Sequence, residues 1–520
     1  MIEAEVHLSL HNFLRSQAGF PSWPHHLTMA RLVARALRVG RSALIQVGAA
    51  CGYQGQYRTS FVASALMWHG AVIIVATQAV QQRLLQVEIP RLQNWLKVNK
   101  PIRIGDTLPL GDFGGIMIMS PTAWLKAQFS STNDFPPDIP TIIDGVDDLE
   151  NWIREQLTVS IEYKDWEELM LACPSKASII RTHRVQLTRE LFQHPANPYE
   201  CYLISEQEEE ILCRIYSSLD LNSLPEAWKK FWQLFLLRYE TFSEAKSSSP
   251  APPLLWATIS RRQGLFSLHC APIELAKILS PIWQRQPVVL IGSALSADTE
   301  ATLFRQNLGL GDLTCLKFSS DNQSQAIQLY IPNKLPLPNT PEFKPVFIHQ
   351  VRQMVCLSAT SPGLTVILVG DVPLKSQLGA ILASEFGSRV QVDKTCLDEN
   401  GILVCGWQFW REHQRVLPSP QMLIIATLPL PSLEDPLVAG RVAYYKRSHQ
   451  DWFRLYLLPT ALNELQRAVA PARDSTVVVA LLDSRVISRS YGAQVLAALS
   501  PLARINYLDP SLFSTPKEDS

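Results

Sequence analysis

A glycine-containing segment between an apolar run and a helical stretch is the first place where the sequence suggests chemistry. Residues 48–60 read Gly-Ala-Ala-Cys-Gly-Tyr-Gln-Gly-Gln-Tyr-Arg-Thr-Ser and follow an apolar run at 43–47. A phosphate-binding loop has the pattern G-x-x-x-x-G-K-[ST] at such a position. Its backbone N–H groups cradle phosphates, its lysine binds them and its hydroxyl holds Mg²⁺.

The residues needed for that loop are only partly present. Gly48, Gly52 and Gly55 do not fit the spacing, and the segment holds no lysine. Arg58 and Thr59 replace the Lys-Thr pair only if the loop has lengthened, and arginine is a planar fork rather than a point charge. The alternative is a turn that closes a strand–helix unit without binding phosphate.

The composition indicates a soluble, globular, multi-domain protein. A chain of 520 residues is too long to form a single hydrophobic core, so we expect two to four domains. The formal net charge is +0, so the protein has no overall positive field of the kind that indicates nucleic-acid binding. A basic groove can still coexist with an acidic surface elsewhere. Nine cysteines without a CxxC pair argue against a disulfide framework and fit a reducing cytoplasm.

No targeting or membrane segment is expected. The N-terminus carries Glu3 and Glu5 and has no basic start followed by an apolar run, as a signal peptide would. The sequence contains no run of about 18 apolar residues, which is the length that a membrane span requires. We therefore expect a cytoplasmic protein without a membrane partner.

Short apolar runs alternate with helical stretches, which favours parallel sheets covered by helices. Residues 27–37 and 80–95 have helical spacing of apolar positions. The predicted strands lie at 43–47, 71–75, 116–119, 141–144, 288–291, 364–369, 402–404, 422–425 and 477–482.

The pattern changes between residues 148 and 243, where charged helical stretches dominate. Trp228, Phe231, Trp232 and Phe235 have helical spacing, and we expect a helix core rather than a base-stacking surface. A Ser/Pro-rich linker follows at 246–253. The chain therefore reads as one α/β unit, a helical insertion and a second α/β unit.

The second α/β unit carries the most specific motifs. In order they are Cys405-Gly-Trp-Gln-Phe-Trp410, Leu428-Pro-Leu-Pro-Ser-Leu-Glu-Asp-Pro436, Leu458-Pro-Thr-Ala461, Gln466 to Arg473, and Leu482-Asp-Ser-Arg485. Together they resemble the C-terminal motifs of the DinG/XPD-type superfamily 2 DNA helicases. The N-terminal motifs are similar to those of a cyanobacterial branch of that family.

The resemblance implies a fold of two RecA-like domains with parallel sheets. We expect the first domain at 1–150 and its completion at 255–297, around an arch-like helical insertion and linker at 151–254. The second domain is expected at 298–508, followed by a flexible tail at 509–520.

The resemblance also assigns roles in the first domain. In the family's R-x-x-Q-x-x-M motif the glutamine reads adenine, and His26 stands in its place here. A neutral imidazole can still bond adenine, although a surface histidine is the alternative we favour. In the I-D-E-A-H motif, Asp144 keeps the Mg²⁺-binding carboxylate, Gly145 replaces the catalytic glutamate, and Asp147 takes the histidine position.

In the second domain, the family's Q-G-x-G-R-x-x-R motif corresponds to Gln466 through Arg473. Ala470 replaces the arginine that contacts the γ-phosphate, and Arg473 remains. Gln414 likewise replaces an aspartate of the F-W-E-G-x-D motif. The replaced residues are those that would converge on the γ-phosphate, Mg²⁺ and the attacking water, while the residues that shape the domains are retained.

Three functions follow from this pattern. The first is a non-hydrolysing relative with a weak or inactive ATPase that binds single-stranded DNA or a protein partner. The second is an active helicase, stimulated by single-stranded DNA, that uses ATP and Mg²⁺. The third is a structural adaptor for a protein partner. Only Cys51 precedes Asp144, so we expect no iron–sulfur cluster of four cysteines between the first two motifs.

Overall fold

The computed structural model describes residues 2–17, 23–107, 113–130, 139–220, 223–243, 251–318, 326–359, 362–473 and 477–513. Two parallel sheets of seven strands each form two α/β lobes, and a smaller antiparallel sheet belongs to an insertion between them. In these ranges no helix has both the length and the apolar character needed to cross a bilayer.

The first lobe is built on a parallel sheet of order β11-β1-β10-β5-β2-β4-β3. Its central strands are continuous apolar runs that are buried on both faces, as parallel sheets between helical layers require. The strands are β1 (Ala43–Gln46), β2 (Val72–Val75), β3 (Ile102–Ile104), β4 (Ile116–Met119), β5 (Thr141–Asp144), β10 (Val288–Gly292) and β11 (Thr314–Lys317).

Helices on both faces of this sheet cover two hydrophobic cores. They are α1 (Ile2–Ser16), α2 (His26–Val39), α3 (Ala49–Gln54), α4 (Arg58–Met67), α5 (Gln78–Arg83), α6 (Ile89–Leu96), α7 (Pro121–Gln128), α8 (Leu149–Leu157), α13 (Ala276–Arg285) and α14 (Thr302–Leu308). A π-helical segment, Leu84–Glu88, joins α5 to α6, and a 3₁₀ segment, Val146–Asp148, precedes α8.

The insertion packs helices on an antiparallel sheet of order β6-β9-β8-β7. Its elements are β6 (Val159–Ile161), α9 (Tyr163–Ala172), a 3₁₀ segment (Pro174–Lys176), α10 (Ala177–Gln193), β7 (Cys201–Leu203), α11 (Glu206–Ser218), α12 (Glu226–Ser243), β8 (Leu254–Ser260) and β9 (Leu265–Ala271). The aromatic row of α12, from Trp228 to Phe235, lies in the core of this unit, which confirms the interpretation as a helix core.

The second lobe has a parallel sheet of order β14-β15-β13-β16-β17-β12-β18. Its strands are β12 (Ile327–Tyr330), β13 (Leu364–Leu368), β14 (Val390–Val392), β15 (Ile402–Cys405), β16 (Pro420–Ile425), β17 (Val478–Leu481) and β18 (Leu502–Ile505). Its helices are α15 (Phe343–Ser358), α16 (Val372–Phe386), α17 (Trp407–His413), α18 (Pro436–Arg447), α19 (Leu458–Ala468), α20 (Arg485–Ser488) and α21 (Gly492–Leu499). Further segments are π-helical (Phe453–Leu457) or 3₁₀ (Gly387–Arg389, Ala470–Arg473 and Pro510–Phe513).

The predicted class, two RecA-like α/β domains with parallel sheets, is confirmed. The boundaries differ from the expected ones, because β8 and β9 pair with β6 and β7 rather than with the first sheet. The first lobe therefore resumes near residue 272 and extends through β11, which pairs with β1.

The chain segments predicted as linker and tail are only partly described. Residues 246–250 of the linker and 514–520 of the tail lie outside the described ranges. The start of the predicted tail is packed rather than flexible, because Phe513 is buried in the second lobe's core.

Candidate functional site

The residues predicted to act together lie where the carboxyl ends of three first-lobe strands face the second lobe. Strands β1, β10 and β5 are neighbours in the sheet, and the segments that follow them lie at the same edge. Helix α19 and the 3₁₀ segment 470–473 pack against α3 from the opposite lobe. Open α/β sheets place ligand sites in this kind of crevice.

Asp144, the last residue of β5, is held by two side chains from the start of α4. The Arg58 Nε donates to Asp144 Oδ2 at 2.7 Å, and the Tyr57 hydroxyl donates to Oδ1. Only 2% of Asp144 and 3% of Arg58 are exposed. Both carboxylate oxygens predicted to serve Mg²⁺ thus accept hydrogen bonds from protein groups.

The charges of this cluster are mutually stabilised. Burial by itself lowers the pKa of Arg58, but the facing Asp144 carboxylate outweighs it and raises the pKa above its ordinary value. Burial, and then the Asp144 charge, raises the pKa of Tyr57 well above its usual range. The cluster is therefore a buried ion pair between a guanidinium and a carboxylate, with a neutral phenol as second donor.

The predicted phosphate loop forms a short helix instead of an open cradle. Gly48 precedes α3, and Gly55 ends it with a left-handed φ of +73°. The Arg58 guanidinium lies against Gly55, where a Cβ would come within 2.0 Å of Nη1. Gly52 packs so closely on Ser293 that an added Cβ would lie 2.3 Å from the Ser293 Cβ. These glycines serve close packing of α3 and Arg58.

Thr59 and Gly145 do not join Asp144. The Thr59 hydroxyl contacts Glu88 at 3.4 Å instead. Gly145 has a left-handed φ of +83° and turns the chain from β5 into the 3₁₀ segment. The position that the resemblance assigns to the catalytic glutamate thus carries no side chain, and its backbone conformation favours glycine.

His26 is buried, so the interpretation as a surface histidine is wrong. Its Nδ1 lies 2.8 Å from the Ser60 hydroxyl, and burial lowers the pKa of the imidazole to about 4. The reason is helical spacing, because His26 lies on the same face of α2 as Met29, Ala30 and Val33. The residues of this segment that line the crevice are instead Trp23 and His25, whose rings pack on Phe318.

Asp147 links the ends of two strands. Its carboxylate accepts from the Ser293 backbone N–H at 2.8 Å, from the Ser293 hydroxyl at 2.8 Å and from the Ala294 N–H at 2.9 Å. The carboxylate therefore fastens the turn after β10 to the turn after β5. It is engaged in this role and does not approach Asp144 through any hydrogen bond of the described residues.

Arg473 and Gln466 bind carbonyl groups within the second lobe. The Arg473 guanidinium donates to the carbonyls of Leu499 at 2.8 Å, Ser500 at 3.2 Å and Pro501 at 3.2 Å. The Gln466 amide donates to the Ala498 carbonyl at 3.0 Å. Burial lowers the pKa of Arg473 to about 10.

Ala470 lies buried in the same 3₁₀ segment as Arg473. The position that the resemblance assigns to the first arginine of the motif therefore carries a methyl group.

The two lobes are joined by direct contacts across the crevice. Arg467 makes a two-point ion pair with Asp148, at 2.7 and 3.0 Å. The Tyr53 hydroxyl donates to the Gln414 carbonyl at 3.1 Å, and Arg415 donates to the Gly52 carbonyl at 3.1 Å. Helix α3 is thus held from the second lobe by Gln414, which is a predicted motif position, and by the next residue, Arg415.

A cavity of about 830 Å³ remains beside α3, between the lobes. Its walls include Trp23, His25 and Lys317 from the first lobe and Gln466 and Arg473 from the second. Lys317 donates to the carbonyls of Ser296 and Ala297. The volume is within the range of small-molecule sites.

The residues at this edge do not fit a magnesium–nucleotide complex as they are placed. Mg²⁺ binds through one or two carboxylates plus waters and phosphates, whereas the buried Asp144 carboxylate is bonded to Arg58 and Tyr57. Within the described ranges, no three His, Cys, Asp or Glu side chains are grouped to hold a metal ion. The expected lack of an iron–sulfur cluster stays a prediction.

Sequence reasoning missed three residues of the site. Tyr57 has no signal beyond its place next to Arg58. Arg467 and Asp148 lie inside or beside two recognised motifs, but their pairing joins residues 319 positions apart. Such a contact becomes visible only when the lobes are placed together.

No family model matches this chain. Among curated proteins it is 24% identical over 367 residues to the ATP-dependent DNA helicase YoaA of Escherichia coli strain K12. That match covers 66% of this chain and 56% of YoaA, so the chain spans little more than half of that relative's length.

Solved structures give the same fold. An XPD helicase structure has a TM-score of 0.57 at 11% identity, covering 93% of this chain and 100% of the other. An XPD structure from S. tokodaii has a TM-score of 0.58 at 14% identity, with coverage of 93% and 100%. At these identities the likeness concerns the fold.

Proposed function

We propose that this chain, a relative of the DinG/XPD-type superfamily 2 helicases, binds single-stranded DNA without hydrolysing ATP. The observation that carries the proposal is the occupation of both Asp144 carboxylate oxygens by Arg58 and Tyr57. The DNA part is supported by the likeness to YoaA, which is named as a DNA helicase.

The Arg58–Asp144 pair opposes Mg²⁺ binding energetically. A metal ion at Asp144 would have to displace a guanidinium from a site that is almost closed to water. Separating a buried pair leaves an uncompensated charge, at a cost of about 3–5 kcal/mol. An ion that binds weakly to one carboxylate does not offset that cost.

The site also lacks side chains that ATP hydrolysis would need in its chemical step. A positioned general base contributes about 10²–10⁴-fold, and Gly145 has no side chain to supply one. An arginine that stabilises the transferring phosphoryl group contributes about 10³–10⁵-fold, and Ala470 stands in its place. Because such groups act as a unit, their losses do not simply multiply, but one of them alone brings turnover close to background.

The cavity beside α3 favours a second candidate function. Its volume of about 830 Å³ and its aromatic wall at Trp23 and His25 would accommodate a nucleotide. Under this alternative the protein is an active ATPase, and the Arg58–Asp144 pair opens when Mg²⁺ and ATP bind. A structural adaptor that binds only a protein partner is the third possibility, and it would bind no DNA.

Steady-state ATP turnover by the purified full chain, with and without single-stranded DNA, tests the proposal, with YoaA as the assay's positive control. We expect background turnover in both conditions, together with DNA binding that needs no nucleotide. A rate of about 1 s⁻¹ that rises with DNA and is abolished by Asp144→Asn would establish the second candidate. Background turnover without DNA binding would leave the adaptor.

A further inference from the structure

One surface of the second lobe combines aromatic rings with positive charge. Residues 441–456 read Arg-Val-Ala-Tyr-Tyr-Lys-Arg-Ser-His-Gln-Asp-Trp-Phe-Arg-Leu-Tyr. In these sixteen residues there are five aromatic side chains and four Lys or Arg, against one acidic residue, Asp451. We call this segment the aromatic–basic hairpin. Nothing in the candidate site uses it.

The hairpin brings its rings together. Helix α18 ends at Arg447, the chain turns, and the π-helical segment Phe453–Leu457 runs back along it. The Tyr445 and Tyr456 rings are stacked, with centroids 6.3 Å apart and planes at 26°. Trp452 and Phe453 meet edge to face, and Phe453 lies 5.1 Å from the ring of Tyr491.

These rings are half-buried, unlike the aromatic row of the insertion. Trp452, Phe453 and Tyr456 pack one side on a small apolar cluster of Val438, Val442 and Leu457. In contrast, the rings of α12 between Trp228 and Phe235 are at most 2% exposed. A row that only filled a core would be buried to that degree, whereas the hairpin keeps ring surface in contact with solvent.

Cations surround the rings, and three of the four are exposed. The Lys446 ammonium lies 5.4 Å from the centre of the Trp452 ring. Arg454 has a loose partner in Asp451 at 3.7 Å, and both are solvent-exposed. Arg447 makes no ion pair with any described residue. The fourth cation, Arg441, lies 4.9 Å from the centre of the Tyr456 ring but is largely buried and paired with Glu150. Lys446, Arg447 and Arg454 are therefore available to an anionic partner.

The hairpin adjoins the junction of all three parts of the molecule. In the middle of α18, Arg441 of the hairpin pairs with Glu150 of the first lobe at 3.0 Å. Gly440 lies against Leu254 and Leu203 of the insertion, where an added Cβ would come within 2.4 Å of the Leu254 side chain. A DNA strand that crosses the hairpin would therefore lie close to the space between the two lobes and the insertion.

We propose that the aromatic–basic hairpin is a stacking surface for single-stranded DNA, with bases on Tyr445 and Trp452 and phosphates on Lys446 and Arg447. This inference rests on the proposed DNA-binding function and locates it. Proteins that bind single strands without sequence preference combine ring platforms with a cationic track in this way. Paired bases in a duplex do not present free faces, so a duplex fits the surface poorly.

The test uses the full chain and a fluorescent oligothymidine of about twenty nucleotides, a length of one or two binding sites. Binding is followed by anisotropy across a series of salt concentrations. The variants are Lys446→Gln with Arg447→Gln, and Tyr445→Leu with Trp452→Leu. Matched controls are Arg31→Gln with Arg35→Gln on exposed positions of α2, and the exposed Tyr507→Leu. Circular dichroism checks the fold of each.

The two variants should weaken binding in different ways. Loss of two phosphate contacts should raise Kd about tenfold or more and reduce the salt slope by about 1.4, since each contact contributes about 0.7 for single strands. Loss of two ring platforms should raise Kd at least about fivefold per base without changing the salt slope. The controls should bind like the wild type, and a duplex of equal charge should compete poorly.

Each contrary result has a definite meaning. If the wild type binds DNA and both hairpin variants bind as tightly as the controls, the location is wrong and the proposed function stands. If the hairpin variants lose affinity for duplex and for single-stranded DNA to the same extent, the surface acts only through its charge and the stacking proposal is wrong. If the wild type binds no single-stranded DNA, both proposals fail. If the ring variant does not fold, the result for the exposed cation pair decides.

Discussion

Two buried aspartates lie at the carboxyl ends of strands in the two lobes and are paired with arginine in different ways. Asp144 of the first lobe accepts only side-chain donors, from Tyr57 and Arg58, which lie 86 or 87 positions away in sequence. Asp483 of the second lobe accepts the backbone N–H groups of Leu428 and Arg485 together with the Arg485 guanidinium.

The difference separates a carboxylate held mainly by nearby backbone groups from one held by distant side chains. Asp483 joins two neighbouring loops with backbone N–H groups that any sequence provides, and its arginine follows two residues later. Asp144 depends on a phenol and a guanidinium that the fold brings from 87 and 86 positions away. Loss of a partner side chain should therefore affect Asp144 more than Asp483.

The largest expected effect comes from removing each arginine in turn. Arg58→Met leaves the buried Asp144 charge without a counter-charge and should lower the free energy of unfolding by about 3–5 kcal/mol. Arg485→Met should cost about 1–2 kcal/mol, because two backbone donors still hold Asp483. Guanidinium-induced unfolding followed by circular dichroism measures both. Equal losses would show that the two pairs do not differ in kind.

A smaller effect on stability is expected from a change of pH. It acts through His26, which is buried in the first lobe beside the Ser60 hydroxyl. Burial holds the pKa of His26 at about 4, against 6.5 for an unperturbed histidine. Between these values the unfolded chain binds more protons, so His26 lowers stability as the pH falls from about 6.5 towards 4. We expect a loss of about 1–2 kcal/mol at pH 5.

Thermal unfolding of the wild type and His26→Gln between pH 7 and pH 5 measures this contribution. The pH-dependent loss should shrink in the variant. His269 of the insertion also has a pKa of about 4 because it is buried, so His269→Gln should reduce the pH-dependent loss in the same way and repeats the test in another region. An unchanged pH dependence in His26→Gln would mean that His26 is accessible to protons in the folded lobe.

The smallest effect concerns the pairing of the lobes. Arg467→Gln removes the ion pair with Asp148, which is partly exposed, and should cost about 1 kcal/mol or less. Because α3 is held from the second lobe, its amide hydrogens should then exchange up to about fivefold faster. Arg411→Gln breaks the Arg411–Glu464 pair within the second lobe and serves as the control. Identical exchange in both variants would show that the Arg467–Asp148 pair does not help to hold α3.

Most strands of the two lobes were predictable because buried parallel strands are continuous apolar runs. The hairpin of β8 and β9 was missed as part of the insertion, although Arg261-Arg-Gln-Gly264 separates two β-like runs and is a turn signal. Its assignment to the first lobe followed from motif order alone. Strand pairing across the inserted helices cannot be inferred from such local patterns.

The candidate site was predictable in position and not in chemistry. The family resemblance selected Asp144, Gly145, Ala470 and Arg473 as site residues, and it suggested Arg58 as a substitute for the lysine. It could not show that Arg58 would pair with Asp144, because that contact depends on how the turn at Gly55 directs α4. For His26 the signal existed, since its spacing to Met29 and Val33 already placed it on the apolar face of α2.

The backbone at Gly145 has a consequence for any attempt to build a carboxylate into this edge of the first lobe. Gly145→Glu would place a side chain on a left-handed φ of +83°, which disfavours a non-glycine residue by roughly 1–2 kcal/mol. Arg58 would still bind Asp144 in that variant, and Ala470 would still offer a methyl group. A single substitution at this turn would therefore lower stability and leave the buried ion pair unchanged.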